Sequence, residues 1–204
     1  MVAFLDEVYK KDNLNLNRVC IFDIDNTLSH GPDANIKDCC YRDEKCLKDN
    51  PKPAWPDNSG TSTYVENTIN NCINNGYHVA VATAEAGTES INKKQKYFIN
   101  NLFGSDIYNT PLYQNACTAQ GEKSNCDGKS EYKNKTPMYV NIMNHLGIPP
   151  SEYSNSIVFD DDKNNLKIAT NLGFKTCQAS NNCGGEYCNK ACGIGKQCSI
   201  LPLN

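Results

Sequence analysis

The stretch VCIFDIDNTL, residues 19–28, contains a short apolar run followed at once by two carboxylates with one residue between them. The run over residues 19–22 has the length and apolar character of a strand buried on both faces, which is typical of parallel sheets. Asp23 and Asp25 follow that predicted strand directly. Half-buried carboxylates this close repel each other, so the stretch predicts either a solvated turn or a bound cation at the strand end.

Apolar runs and helical patterns alternate along the rest of the chain. This alternation predicts an α/β fold with a parallel sheet. Four further strands are expected at residues 78–83, 106–109, 156–159 and 174–179, and helices are expected at residues 63–75, 88–103, 136–147 and 164–173.

Reactive side chains follow three of the predicted strands: Asp23 and Asp25 after the first, Thr83 at the end of the second, and Asp160 with Asp161 after a later one. The carboxyl ends of parallel strands meet at one edge of the sheet, where ligands bind. Four carboxylates at one edge need a cation, and Mg²⁺ prefers such oxygen ligands. A carboxylate nucleophile with Mg²⁺, a hydroxyl and a lysine is the equipment for forming an aspartyl-phosphate.

Four stretches, in this order, resemble the motifs of the haloacid dehalogenase superfamily of phosphohydrolases. The family's D-x-D-x-T motif is similar to FDIDNTL, its strand ending in Thr or Ser to VAVATAEAG, its lysine before a helix to KNKTPMYVNIMNHLGI, and its acidic motif to IVFDDDKNNL. The resemblance covers residues 17 to about 180. It implies a Rossmann-like three-layer sandwich with a parallel sheet.

The resemblance implies a magnesium-dependent phosphomonoester hydrolase. In that interpretation Asp23 attacks phosphorus and binds the metal. Asp25 is the general acid and then the general base, and its backbone carbonyl binds the metal. Thr83 and Lys135 hold the phosphoryl group. The metal site, formed with Asp23 and Asp25, is completed after the fourth motif strand by Asp161, which binds directly or through water, and by Asp160 beside it.

Several of these assignments have neighbours that compete with them. Lys129 and Lys133 are alternatives to Lys135, which is preferred because it directly precedes the predicted helix at residues 136–147. Asp162 is expected to be an acid at a helix N-terminus rather than a ligand. Asn165 stands where the family often has a later acid.

Cysteine occurs 12 times, which favours an oxidising setting such as an extracellular, secretory or virion environment. Cys20 and Cys72 fall in apolar patterns and are expected to be buried thiols. The other ten gather in loops and in the tail, where disulfides of unassigned pairing are expected. Zinc and free thiols are the alternatives, although the tail lacks a C-x2-C pair.

The expected organisation is one α/β domain over residues 1–180, with loop insertions at about 30–62 and 110–134, and a cysteine-rich extension over 181–204. Both insertions are short for a full cap domain, so the resemblance implies an uncapped or minimally capped enzyme. Its phosphorylated substrate would be a small molecule, a phosphoprotein or a nucleic-acid end. The net charge of −3 gives no basic footprint for unspecific nucleic-acid binding. Neither a membrane span nor a signal peptide is expected.

A second hypothesis makes the chain a structural or interaction protein. Its 29 asparagines indicate an A/T-rich coding bias of the kind found in some viruses and protists, and its cysteines would stabilise it through disulfides. Such a protein would use the same fold in a virus particle or extracellular assembly, beside other protein subunits, with little or no activity.

Overall fold

The computed structural model describes residues 17–28, 61–84, 96, 99–100, 102–103, 106–115, 134–179 and 198. The strands within these residues are β1 (Val19–Phe22), β2 (His78–Thr83), β3 (Tyr113–Asn115), β4 (Ile157–Asp160) and β5 (Lys175–Gln178). The helices are α1 (Thr61–Asn74), α2 (Thr136–His145) and α3 (Lys163–Asn171). A π-helical turn covers Ile24–Leu28, and 3₁₀ turns cover Ile107–Asn109 and Pro150–Asn155.

All five strands are parallel and lie in the order β3-β2-β1-β4-β5, which confirms the predicted α/β fold with a parallel sheet. The chain builds outward from β1 in one direction through β2 and β3. It then returns to the other side of β1 with β4 and β5. The strand order therefore reverses between β1 and β4, and open parallel sheets bind ligands at the carboxyl edge of such a switch point.

Alternation along the strands gives the sheet two buried faces. Cys20 and Phe22 of β1 share a core with Val65 and Ile69 of α1. On the other face, Val19 and Ile21 share a second core with residues of α2 and α3, among them Met138, Tyr139, Ile142, Leu166 and Ala169. Helices therefore cover both faces of the sheet, and β1 is buried on each side, as its apolar run requires.

The third strand is not where the sequence placed it. Residues 107–109 form a 3₁₀ turn, and the strand is Tyr113–Asn115, inside the segment expected to be a loop. Side-chain hydrogen bonds explain the turn: Asp106 accepts from Asn100 and Asn109, and the Thr110 hydroxyl donates to the Ile107 carbonyl. Such local bonds compete with a strand ladder.

The other expected elements lie within two residues of their predicted bounds, where the structure describes them. Of the expected helix at 88–103, residues 96, 99–100 and 102–103 are helical, and the rest lie outside the described residues. Most of both insertions, and the tail at 181–204 apart from Cys198, also lie outside the described residues. Within the described part of the chain, no helix combines the length and apolar character needed to cross a bilayer.

Four of the described cysteines form two disulfides, Cys20–Cys72 and Cys177–Cys198, and none of those described is free. The first pair corrects the expectation that Cys20 and Cys72 are buried thiols: they are buried, but they are bonded to each other. The second joins β5 to the tail. Both bonds fit an oxidising setting. The other eight cysteines lie outside the described residues.

His78 at the start of β2 makes stability depend on pH. Burial lowers the pKa of its imidazole, and His145 nearby lowers it further. The unfolded chain therefore binds this proton more readily. Stability is complete above the ordinary histidine pKa of about 6.5 and falls as pH decreases through it. Between about pH 7 and pH 5, we expect the urea midpoint to fall more in the wild type than in His78→Gln. Equal falls would contradict this.

Candidate active site

The sheet fixes the backbone of two acids at its carboxyl edge. Asp23 directly follows β1, and its N–H donates to the Phe159 carbonyl at 2.9 Å, so the pairing of β1 with β4 continues through the first acid. Asp160 is the last residue of β4, and its carbonyl accepts from the Ala179 N–H at 2.9 Å. Both positions adjoin the switch point between β1 and β4.

Strand alternation also decides which way these acids point. Ile21 and Val158 face the core shared with α2, so Asp23 and Asp160, two residues further along their strands, are directed to the same face. Lys135 immediately precedes α2 and reaches the acids from that side. Its Nζ lies 2.5 Å from Asp23 Oδ1 and 2.7 Å from Asp160 Oδ2, and only 1% of the residue is exposed.

The second oxygen of Asp160 is also engaged. Its Oδ1 accepts from the Asp162 backbone N–H at 2.9 Å and from Asn165 Nδ2 at 3.3 Å. Asp162 is itself the N-cap of α3 and accepts from the Asn164 N–H, which confirms its predicted place at a helix N-terminus. The start of α3 therefore donates hydrogen bonds to one oxygen of Asp160, and the other oxygen of Asp160 accepts from Lys135.

Burial and charge act against each other in this cluster. Burial raises the pKa of the Asp23 carboxyl well above its usual value; Lys135 opposes that rise, and Asp160 and Asp25 add to it. Burial would lower the pKa of the Lys135 ammonium, but Asp23 and Asp160 outweigh it and raise that pKa, so Lys135 stays charged. The acids outnumber the bases, and a further positive charge would stabilise Asp23 as a carboxylate.

The side chains of Asp23, Asp160 and Asp161 can each present an oxygen within 4.8 Å of the other two. With Asp25 nearby, four carboxylates face one ammonium, that of Lys135, and a divalent cation would offset part of this formal negative charge. Hard oxygen donors of this kind suit Mg²⁺. The donor set and the charge balance both make this cluster a candidate divalent-metal site.

The structure places the other two predicted site residues beside this cluster. Asp25 lies in the Ile24–Leu28 turn, close enough to Asp23 to raise its pKa. Thr83 is the fully buried last residue of β2. Phe22 pairs with Val81, so Thr83 lies one step further along the edge than Asp23, and alternation directs it to the opposite face.

Two contacts of the site escaped the sequence analysis. Asn165 was noted only as a replacement for an acid, although three residues after the N-cap it shares the first turn of α3, a position from which it reaches Asp160. Gln178 of β5 donates from Nε2 to the Asp161 carbonyl at 3.3 Å. Register explains it, because Gln178 pairs with Asp160.

No protein-family model, curated protein or solved structure matches this chain.

Proposed function

We propose that this chain is a magnesium-dependent phosphomonoester hydrolase of the haloacid dehalogenase type, acting through an aspartyl-phosphate on Asp23. The main support is the position of the Lys135 ammonium, bonded to Asp23 and Asp160 at the switch point of a parallel sheet, with Asp161 beside them. Three distant segments supply these groups, and together they provide a nucleophile, a cation for phosphoryl oxygens and ligands for a metal.

The residues present fit Mg²⁺. Asp23 and Asp161 would hold it through carboxylate oxygens, and the backbone carbonyl of Asp25 would add a ligand. When bound, Mg²⁺ would neutralise charge on the phosphoryl oxygens and favour the ionised form of Asp23.

The chain's own residues account for the two chemical steps. In the first, a carboxylate oxygen of Asp23 bonds to phosphorus, and the ester oxygen leaves with a proton from Asp25. In the second, Asp25 takes a proton from water, the water oxygen bonds to phosphorus, and the bond to Asp23 breaks. Lys135, already desolvated, would stabilise the phosphoryl charge without reorganising.

The test is hydrolysis of p-nitrophenyl phosphate by the full chain. We expect turnover with Mg²⁺, a fall of at least about 100-fold after treatment with EDTA, and recovery when Mg²⁺ is restored, because a metal that stabilises transition-state charge contributes several kcal/mol. A panel of phosphorylated small molecules, phosphopeptides and nucleic-acid ends would then identify the substrate class. Equal turnover in EDTA would contradict the proposal.

A second candidate function is favoured by the two disulfides, which would suit a structural or interaction protein in an extracellular assembly or virus particle. No turnover on the whole panel by a folded, Mg²⁺-supplied protein would favour this alternative over the hydrolase.

A further inference from the structure

We propose that Gln178 is a positioning residue for Asp161, and that the Cys177–Cys198 disulfide holds the end of β5 from which Gln178 acts. The inference rests on the proposed function, in which Asp161 is a ligand of the metal. It extends the metal site to β5 and to the tail, beyond the three acids that can share a cation.

The peptide group between Asp161 and Asp162 is held from both sides. Its carbonyl accepts from Gln178 Nε2 at 3.3 Å, and its N–H donates to Asp160 Oδ1 at 2.9 Å. A peptide group is planar, so two hydrogen bonds in opposite directions restrict the tilt of its plane. The Cα atom of Asp161 belongs to this plane, and the carboxylate therefore starts from a restricted backbone position.

Asp161 depends on this support because it lies in a bend between β4 and α3, outside both elements. Asp23 and Asp160 differ from it, since their backbone groups take part in the pairing of neighbouring strands. Asp161 is also partly exposed, at the rim of the cluster. Groups that orient a metal ligand without touching the metal change metal affinity or activity by about 10- to 100-fold.

Register explains how Gln178 reaches Asp161. Gln178 pairs with Asp160, so it lies level with the acidic edge of the sheet. Cys177, one residue earlier, pairs with Phe159 and shares a core with Cys198. Alternation therefore directs Cys177 to that core and Gln178 to the opposite face.

The end of β5 needs the disulfide more than a central strand would. Among the described strands, β5 pairs with β4 alone, whereas β1 pairs with both β2 and β4. Segments with fewer contacts open at a lower free energy than the core strands. The disulfide ties Cys177 to the core, and Cys198 Sγ lies 3.5 Å from the Gln178 carbonyl oxygen. Without it, Gln178 would keep its hydrogen bond to Asp161 for less of the time.

The first experiment measures Mn²⁺ binding to the full chain by electron paramagnetic resonance. Gln178→Met keeps the length of the side chain and removes its donor, so it should bind Mn²⁺ at least about fivefold more weakly than the wild type. Thr176→Val is the matched control, because Thr176 lies two residues earlier on the same face of β5 and pairs with Val158. It should leave the affinity unchanged.

Kinetics and thermal unfolding separate positioning from structural damage. In Gln178→Met, the Mg²⁺ concentration for half-maximal turnover should rise by the same factor as the Mn²⁺ dissociation constant. The value of kcat at saturating Mg²⁺ and the thermal midpoint should stay close to wild type. A merely structural role would lower the thermal midpoint and leave the metal affinity of the folded protein unchanged.

The role of the disulfide is tested by comparing two double variants well below their unfolding midpoints. Cys177→Ala with Cys198→Ala should weaken Mn²⁺ binding at least about threefold, because it frees the strand end beside Asp161. Cys20→Ala with Cys72→Ala should not, because β1 is paired on both sides.

The outcomes distinguish this inference from the proposed function. If Gln178→Met binds Mn²⁺ as tightly as the wild type, or Thr176→Val loses as much affinity, the inference is overturned and the hydrolase stands. Equal affinities in the two double variants, or failure of the Cys177/Cys198 variant to fold, would overturn the role of the disulfide. If the wild type binds no Mn²⁺, both proposals fail. Weaker binding in Gln178→Met, with no turnover by the wild type on any substrate, would support the inference and overturn the hydrolase.

Discussion

Replacing Asp23 with Asn is expected to lower kcat for p-nitrophenyl phosphate by at least about 10⁴-fold, the scale of loss seen when a covalent nucleophile is removed. An amide oxygen is a poor nucleophile at phosphorus and a weaker metal ligand. The change is nearly isosteric, and an Asn oxygen at this position can still accept from Lys135, so the fold should remain. Steady-state kinetics with circular dichroism as a check on folding measures the loss.

Asp162→Asn is the matched control, because it makes the same chemical change in the acidic run that begins at the last residue of β4. Asp162 is an exposed N-cap, and Asn caps helices about as well as Asp, so turnover should not change.

Asp25→Asn separates the two roles proposed for Asp25, general acid in the first step and general base in the second. p-Nitrophenolate leaves without an acid, but the base for the second step is lost, so one equivalent should be released and a phosphorylated protein should accumulate. Activity of Asp23→Asn near the wild-type value would refute the aspartyl-phosphate mechanism.

The central part of the fold was predictable because strands buried in a parallel sheet have short, continuous apolar runs. β1, β2 and β4 are of this kind, and Asp23, Thr83 and Asp160 mark their ends. β3 was not predictable, since its three residues, Tyr113–Asn115, include Gln and Asn. Its pairing with β2 decides its conformation, an example of tertiary contacts overriding local propensity.

The convergence of Asp23, Asp160 and Asp161 at one edge of the sheet was predictable from the sequence, but their contacts were not. Topology brings the acids to one edge whatever their hydrogen bonds are. The alternation of side chains along β1 and β4, seen in the structure, directs Asp23 and Asp160 to the face covered by α2. Lys135, at the start of α2, can therefore bond to both acids. The hydrogen bond from Asn165 to Asp160 depends on where the first turn of α3 begins, and residue types alone do not specify that to one residue.

Removing the Cys20–Cys72 disulfide by substituting both residues with Ala is expected to lower the free energy of unfolding by about 4 kcal/mol on the chain-entropy model. The bond joins β1 to α1 across a sequence separation of 52, so without it the unfolded chain gains the freedom of a long loop. Both residues are fully buried, so the lost sulfur atoms add a packing term of the same sign. Guanidinium unfolding under non-reducing conditions measures the change.

Cys177→Ala with Cys198→Ala provides the comparison, because that bond spans a separation of only 21 and should contribute about 3 kcal/mol on the same model. A larger loss of stability from the shorter loop would contradict the entropic account.

The activity of the Cys20/Cys72 variant should respond differently from its stability. Asp23 lies three residues after Cys20, but hydrogen bonds from β1 to β2 and β4 hold that segment independently of the sulfur bridge. Well below its unfolding midpoint, the Cys20/Cys72 variant should therefore keep its turnover, and loss of activity in a fully folded sample would show that the bridge also positions the nucleophile.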